Sequence, residues 1–187
     1  MLRGRRFPSR AASVSDPALR DAADRMALQH LAYSYCHAVD RRDYGLLRTL
    51  YHDDATDDHG AMYCGPASGF IDWLPGMMAN WQATRHSITN MLFLIEGDTA
   101  QGELVTDAWH RTLDGMRDII AHGRYLDRYQ KRNGVWKFFH RSLVQDWMEE
   151  RDVPATALPN DGVPKGSPGA DDPCYAALNL FAQRRIG

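Results

Sequence analysis

The chain has 187 residues, of which 44% are hydrophobic and 25% are charged. This length and composition suit one domain built around a single core. The formal net charge of −2 provides no positive field for nucleic acid or an anionic membrane surface. No apolar run reaches the roughly 18 residues of a membrane-spanning helix. Three cysteines without paired spacing favour a reduced protein, and we expect a cytoplasmic location.

The two ends of the chain differ in composition from its middle. Residues 1–15 carry four arginines within the first ten positions and no apolar segment of the signal-peptide kind, which predicts a flexible basic arm. We expect one folded domain over residues 16–150. Residues 151–187 are rich in proline, glycine and aspartate and predict a tail. Its apolar stretch, residues 174–178, would anchor it as a lid or a subunit contact, with a disordered terminus as the alternative.

The first strong element is a helix that ends at Asp40. Ser15 or Asp16 can cap its start, and Pro17 suits the first helical turn. An apolar stripe follows at helical spacing, formed by Leu28, Leu31, Ala32, Tyr35 and Val39. A second, shorter helix is predicted over residues 44–51.

The next segments mix polar turns with one apolar helix. Residues 52–60 are polar and predict a turn-rich segment, followed by a short strand near residues 62–64. Aromatic, leucine and methionine residues at helical spacing then predict a third helix from Ala67 to Trp81, kinked or interrupted at Pro75-Gly76.

Four strands are predicted in the rest of the domain, over residues 85–96, 102–113, 118–132 and 135–148. The Asn133-Gly134 pair between the last two is a strong hairpin signal. Helices followed by a long antiparallel meander indicate an α+β fold. We expect the helices to pack on the concave face of a curved, mixed, mainly antiparallel sheet.

Asp40 and His86 are the first candidate functional residues. Asp40 closes the long helix, and His86 lies near the start of a predicted strand. In an apolar environment such a carboxylate can orient an imidazole and poise it as a base. The residues alone leave a second interpretation equally open, in which Asp40 is a solvated acid and His86 a satisfied strand histidine.

Other cofactor-binding patterns are weak or missing. The acidic turn has side chains of metal-ligating type, but their spacing matches no known ligand set: His52, Asp53, Asp54, Asp57, Asp58 and His59. No glycine-rich phosphate-binding motif occurs. We therefore predict neither a metal site nor a cofactor.

Several segments, taken in order, resemble the SnoaL-like branch of a cone-shaped α+β barrel fold. Nuclear transport factor two, ketosteroid isomerase and scytalone dehydratase share this fold. The resemblance covers most of residues 20–150. It rests on residues 27–31, 38–43, 54–55, 86–90, 123–129 and 133–138, with Arg141 and Asp146-Trp147.

The resemblance implies a cofactor-free elimination. In scytalone dehydratase, bile-acid dehydratase and hexachlorocyclohexane dehydrochlorinase, an Asp ending the first helix orients a His on the facing strand. That imidazole removes a proton beside a carbonyl, aromatic or halogenated centre and can return it to the leaving group. Asp40 and His86 match these two positions, and Tyr35 matches a tyrosine of the bile-acid branch. Tyr35 would donate a hydrogen bond to a substrate oxygen, or it is a core tyrosine.

Six further residues are candidate substrate contacts: His59, Asn90, Trp109, His110, Arg141 and Trp81. Asn90 shares strand parity with His86, whereas the alternation leaves open which of Trp109 and His110 faces inward. Arg141 would bind an anionic or phenolic group, or form an ion pair with Asp127. An aromatic wall that includes Trp81 favours a flat, hydrophobic substrate.

Together these features predict a lyase that removes water, halide or formaldehyde from an aromatic or polycyclic molecule. An isomerase or cyclase using the same base is an alternative. A ligand-binding module, or a partner similar to the β subunit of ring-hydroxylating dioxygenases, is another. We also expect a homo-oligomer, a trimer rather than a dimer. Its apolar outer face would include some of the strand residues Ile119, Tyr125, Trp136 and Phe138.

Overall fold

A computed structural model describes residues 16–154 and 162–184, so the predicted arm, residues 1–15, lies outside the described residues. The helices in these ranges are α1 (Pro17–Asp40), α2 (Tyr44–Leu50), α3 (Ala67–Met78), α4 (Pro173–Ala177) and α5 (Asn179–Arg184). The strands are β1 (Tyr51–Asp58), β2 (Cys64–Pro66), β3 (Trp81–Glu96), β4 (Thr99–Thr112), β5 (Arg117–Arg132) and β6 (Val135–Asp152).

Helix α1 begins as the sequence predicts, since the Asp16 side chain accepts a hydrogen bond from the Ala18 amide and Pro17 occupies the first turn. Its predicted apolar stripe is buried, and the Leu28 and Ala32 side chains are fully enclosed. None of the helices in the described ranges is long and apolar enough to cross a membrane.

The six strands form one mixed sheet in the order β2-β1-β6-β5-β4-β3. Only the β1–β6 pair is parallel, and the four other neighbouring pairs are antiparallel. Register shifts between His122 and Gly123 and between Arg128 and Tyr129 interrupt the β5–β6 ladder. Such irregularities bend a sheet, and here they lie in β5 and β6, the two central strands of the sheet.

The predicted β5–β6 hairpin is confirmed. Asn133 and Gly134 have φ angles of 52° and 78°, the left-handed pair that a two-residue turn between twisted strands requires. Helices α1 and α3 pack against the same sheet. The core between these layers joins side chains from both, including Leu28, Tyr35, Phe70, Leu74, Leu104 and Phe138. The α+β cone predicted from the sequence is therefore the fold of the protein.

The predicted turn over residues 52–60 is wrong, because β1 occupies most of it. The side chains of Tyr51, Ala55 and Asp57 are buried, while Asp53 and Asp54 are exposed. β1 is held by its parallel pairing with β6, a strand more than 80 residues later in the chain. Local composition contains no signal for that partner.

Smaller differences concern the bounds of two neighbouring elements. Helix α3 ends at Met78 with Pro75 inside it, so Pro75 does not interrupt the helix. Trp81 belongs to β3 rather than to this helix. The short strand β2 follows the position predicted near residues 62–64.

The described part of the tail packs on the C-terminal end of α1. The Arg41 guanidinium lies 2.9 Å from an Asp172 carboxylate oxygen and donates to the Ser167 carbonyl at 2.7 Å. The Tyr175 ring is buried and meets the His37 ring edge to face, with centroids 6.2 Å apart. The tail thus contacts the outside of the helix that carries Asp40.

Candidate active site

A cavity of about 170 Å³ lies between the helices and the inner face of the sheet. One apolar wall comes from α3 and the start of β3, and is formed by Phe70, Trp73, Leu74, Met77, Met78 and Trp81. Further apolar side chains come mainly from the sheet, among them Ala108, Ile119 and Leu143. The side chains with polar groups that line it are Tyr35, His59, His86, Thr106, His110, His122, Tyr125 and Gln145. A mostly apolar cavity with a few convergent polar groups is the usual form of a small-molecule site.

The end of α1 places Asp40 beside this cavity. Arg42 adopts a left-handed conformation with φ of 53°, and the Asp43 amide donates to the Ala38 carbonyl at 2.8 Å. This turn ends the helix and directs Asp40 toward β3. The Asp40 residue is only 6% exposed.

Three hydrogen bonds hold the Asp40 carboxylate against β3. One oxygen lies 2.8 Å from Nδ1 of His86 and accepts the Thr84 hydroxyl at 2.9 Å. The other accepts the His86 backbone amide at 2.8 Å. The Arg42 guanidinium donates to the Thr84 hydroxyl at 3.1 Å, so a cation lies behind the carboxylate.

These contacts keep Asp40 ionised. Burial raises the pKa of the Asp40 carboxyl. The hydrogen bonds from His86 and Thr84, and the positive charge of His86 when that ring is protonated, outweigh burial and leave the pKa of Asp40 below its usual value. An ionised carboxylate at Nδ1 fixes the proton there and leaves Nε2 as the basic nitrogen of a neutral imidazole. Within the described residues Nε2 of His86 has no hydrogen-bond partner, and the ring lines the cavity.

Tyr35 lies beneath the same cavity, at 2% exposure. Burial raises the pKa of its hydroxyl well above the usual value, against the opposing effect of Arg141. The hydroxyl therefore keeps its proton and is available as a hydrogen-bond donor.

Trp81 and His110 form the polar end of the wall next to His86. The His110 ring lies 4.8 Å from the Trp81 ring and 5.7 Å from the His86 ring, edge to face. Burial has the largest effect on the pKa of His110 and the charge of the neighbouring His86 the second largest. Together they lower that pKa to about 4, so this imidazole is neutral near pH 7. The Trp81 indole nitrogen is buried without a hydrogen-bond partner among the described residues.

Two predicted substrate contacts lie outside the cavity. His110 faces inward, and Trp109 faces the outer side of the sheet, where the Arg111 guanidinium lies 5.3 Å from its ring centroid. Asn90 is exposed. The ladder shifts register between Ile88 and Met91, and this irregularity removes the parity that Asn90 would otherwise share with His86.

Of the two roles considered for Arg141, the structure shows the ion pair with Asp127. It is fully buried, and its Nε and Nη2 lie 2.8 and 2.7 Å from the two carboxylate oxygens of Asp127. Its guanidinium carbon lies 4.1 Å from the Tyr35 ring centroid and 3.9 Å from that of Tyr125. Arg141 is thus held in an ion pair with Asp127, and its guanidinium makes a cation–π contact with the Tyr35 ring.

His59 lines the cavity and is held by Asp57, which was considered from the sequence only as part of the rejected metal-ligand cluster. Its Nδ1 lies 2.5 Å from the Asp57 carboxylate. Thr84 and Thr106 were also missed, although each has the strand parity of a predicted inward residue, His86 or His110. Within the described part of the chain, no group of three or more His, Cys, Asp or Glu side chains is arranged to hold a metal ion.

Comparison with known proteins agrees with this fold. Residues 20–142 match the SnoaL-like domain, and the chain belongs to that family. Gamma-hexachlorocyclohexane dehydrochlorinase of Sphingobium indicum is 30% identical over 131 residues, which cover 67% of this chain and 82% of that protein.

Solved structures with lower identity show the same cone-shaped fold. Hexachlorocyclohexane dehydrochlorinase type 3 from Novosphingobium barchaimii has a TM-score of 0.66 at 23% identity, over 74% of this chain and 95% of that chain. A protein of Novosphingobium aromaticivorans, described provisionally as a scytalone dehydratase, has a TM-score of 0.65 at 21% identity. That match covers 72% of this chain and 91% of the other.

Proposed function

We propose that this protein is a cofactor-independent lyase acting on an aromatic or polycyclic hydrophobic small molecule. His86 removes a proton from carbon, Asp40 fixes and stabilises the imidazole, and a small group leaves from the neighbouring carbon. Tyr35 donates a hydrogen bond to the oxygen on which negative charge develops. Water, halide and formaldehyde are the candidate leaving groups.

One observation carries the proposal. Nδ1 of His86 lies 2.8 Å from a buried carboxylate, and its Nε2 is unpaired among the described residues, on the wall of an apolar cavity. A general base needs this combination of a fixed tautomer, a free nitrogen and restricted water. A binding module has no requirement for a buried Asp–His contact.

The nature of the substrate is supported by the wall and by the relatives. Phe70, Trp73 and Trp81 offer flat apolar surfaces, which suit a planar ring system. The dehydrochlorinase of Sphingobium indicum is a lyase by name. We extend the reaction type, elimination, to this chain on that family relation.

Elimination assays test the proposal. Purified protein is incubated with γ-hexachlorocyclohexane and with a set of β-hydroxy and β-chloro aryl ketones, and products are identified by mass spectrometry. We expect loss of water or hydrogen chloride from at least one probe. His86→Ala should lower that rate at least about 10²-fold, the low end for general acid–base catalysis.

The matched control is His30→Ala, since His30 is exposed on α1 and does not line the cavity. His30→Ala should retain the wild-type rate. Probes that bind but give no elimination product would argue for a ligand-binding module, and a rearranged product of unchanged mass would argue for an isomerase.

A further inference from the structure

A second buried Asp–His pair faces the same cavity as Asp40 and His86. Asp57 is fully buried, and one of its carboxylate oxygens lies 2.5 Å from Nδ1 of His59. The other accepts the Tyr51 hydroxyl at 2.7 Å. Burial raises the pKa of Tyr51 well above its usual value, so this hydroxyl stays a donor. Both oxygens of a carboxylate without solvent contact are therefore satisfied by side chains.

The His59 ring is held by stacking as well as by Asp57. It stacks on Phe70, with centroids 4.8 Å apart and planes 12° from parallel, and its side chain is 10% exposed. It lines the cavity, and its Nε2 makes no hydrogen bond within the described part of the chain. Both imidazoles thus have Nδ1 held by a buried carboxylate and Nε2 available.

The sheet brings the two pairs to the cavity from different directions. His86 lies on β3, one edge of the sheet, whereas His59 directly follows β1, which neighbours the other edge strand. Strands β6, β5 and β4 lie between them, and the curved sheet brings both rings to one cavity. His110 and His122 also line the cavity, but among the described residues only His59 and His86 have Nδ1 against a buried carboxylate. A bound molecule would meet these two imidazoles on separate walls.

We propose that His59, positioned by Asp57 and Tyr51, is the general acid that protonates a leaving hydroxyl group, and that the substrate class is an alcohol. This inference rests on the proposed lyase function. It replaces the return of the proton by His86 with transfer from a separate residue.

The proton and electron transfers balance. Nε2 of neutral His86 takes the proton from carbon, and the C–H electron pair forms the new C=C bond. The neighbouring C–O bond breaks, its electron pair takes the Nε2 proton of the His59 imidazolium, and water departs. His86 is left protonated and His59 neutral, and exchange with solvent restores both.

The leaving group follows from the need for an acid. Chloride departs as a stable anion and requires no proton, whereas hydroxide is a poor leaving group until it is protonated. A cavity that supplied only a base would suit loss of chloride. The Asp57–His59 pair adds the group that loss of water requires.

Two probes with one product test the assignment. A β-hydroxy aryl ketone and its β-chloro counterpart both yield the same enone, whose absorbance reports the rate.

We expect His59→Gln and His59→Phe to lower kcat/KM for the alcohol at least about 10²-fold. The loss for the chloride should be at least about tenfold smaller than the loss for the alcohol, because only the alcohol needs the proton. His86→Ala should lower both rates. His59→Phe keeps a ring against Phe70, and His30→Gln is the exposed control. Equal losses with both leaving groups, or full alcohol turnover in either His59 variant, would overturn the assignment.

A binding measurement separates this inference from the lyase proposal. In His86→Ala, which leaves the probe intact, calorimetry compares the β-hydroxy ketone with the ketone lacking the hydroxyl. We expect the hydroxyl to tighten binding at least about fivefold, as a hydrogen bond from a charged donor does. His59→Phe should abolish that gain. If the gain is seen but wild-type protein turns over neither probe, His59 recognises an alcohol, and the lyase proposal fails together with the acid role of His59. Absence of the gain would overturn the role of His59.

Discussion

Asp40 and His86 depend on each other chemically but not structurally. If His86 becomes alanine, the Asp40 carboxylate keeps the Thr84 hydroxyl and the backbone amide of residue 86. If Asp40 becomes alanine, the imidazole loses the group that fixes its tautomer while its strand remains paired with β4. The fold should therefore survive both changes. Asp40→Ala should also lower the free energy of unfolding by about 1–3 kcal/mol, because the Thr84 hydroxyl and the amide of residue 86 lose their acceptor.

The expected kinetic result is a pair of equal, non-additive losses. Asp40→Ala and His86→Ala should each lower turnover of an eliminated probe at least about 10²-fold. Because the two act as one unit, the double variant should be little slower than either single variant. Steady-state kinetics of all four proteins, with circular dichroism to verify folding, measures this. Losses that multiply in the double variant would mean that the residues act separately.

His110 makes stability depend on pH. Its folded pKa of about 4 lies below the ordinary value of 6.5, so between these values the unfolded chain binds a proton that the folded protein does not. The free energy of unfolding should then rise with pH across about 4 to 6.5. His110→Phe, which keeps a ring against Trp81, should show a shallower rise in urea unfolding. The control His30→Gln should keep the wild-type slope, and an unchanged slope in His110→Phe would contradict the prediction.

How far the sequence predicts individual residues depends on what holds them. Asp40 and Tyr35 lie on a long helix whose stripe and end are visible locally, and resemblance to the family links them to His86. Asn90 was misplaced, and the choice between two roles for Arg141 stayed open, because the surroundings of both residues are set by neighbouring strands. A register shift turns Asn90 outward, and Asp127 on β5 neutralises Arg141. Neither the register shift nor the choice of ion-pair partner can be determined from the spacing of residues along one strand.

At the level of elements, the sequence predicts the four strands that are joined by short turns, β3 to β6. It does not predict β1, which pairs in parallel with the distant strand β6. β3 to β6 follow one another through short turns, so alternation and Asn133-Gly134 indicate them. β1 has low strand propensity because it contains four aspartates, and its partner β6 is distant in sequence. The same cause hid the second site pair, since Asp57 and His59 share an inward face only if β1 is a strand.

The tail is an element whose role follows from where it packs. Its described residues contact the outer side of α1, and none of them lines the cavity. Burial raises the pKa of Asp172. Hydrogen bonds from the side chain and amide of Cys174 and from the Ser167 amide, with the charge of Arg41, outweigh burial and hold that pKa at about 2. Asp172 also caps α4, so it connects the tail to the domain.

We therefore expect the tail to stabilise the fold rather than close the cavity. Asp172→Ala should lower the free energy of unfolding by about 1–2 kcal/mol, the upper range for loss of a helix cap. Removal of residues 155–187 should lower the melting temperature further and leave kcat within about threefold, since the cavity lining stays intact. Denaturant unfolding and turnover are the two measurements. Lys165→Ala, at an exposed tail position, is the control. A large fall in kcat on truncation would restore the lid hypothesis.

At the scale of the whole molecule, the cone divides the sheet into two different faces. The inner face buries Tyr125 and Phe138, two of the residues considered for an outer apolar surface, and β6 also buries Trp136. The outer face instead exposes leucines of neighbouring strands. Leu92 and Leu94 are 66% and 69% exposed, and they line one shallow groove together with Leu126. Adjacent exposed leucines on a sheet favour contact with another protein surface.

This outer groove is where we expect copies of the chain to associate, as a trimer rather than a dimer. Leu92→Lys with Leu94→Glu should shift the mass in solution to that of a monomer, because charged side chains at the centre of an apolar contact cost too much to desolvate. Light scattering coupled to size-exclusion chromatography measures the mass. Val135→Lys changes an equally apolar side chain, 53% exposed beside the β5–β6 turn, and should leave the assembly unchanged. A wild-type monomer at micromolar concentration would refute the association, and a wild-type dimer would refute the trimer alone.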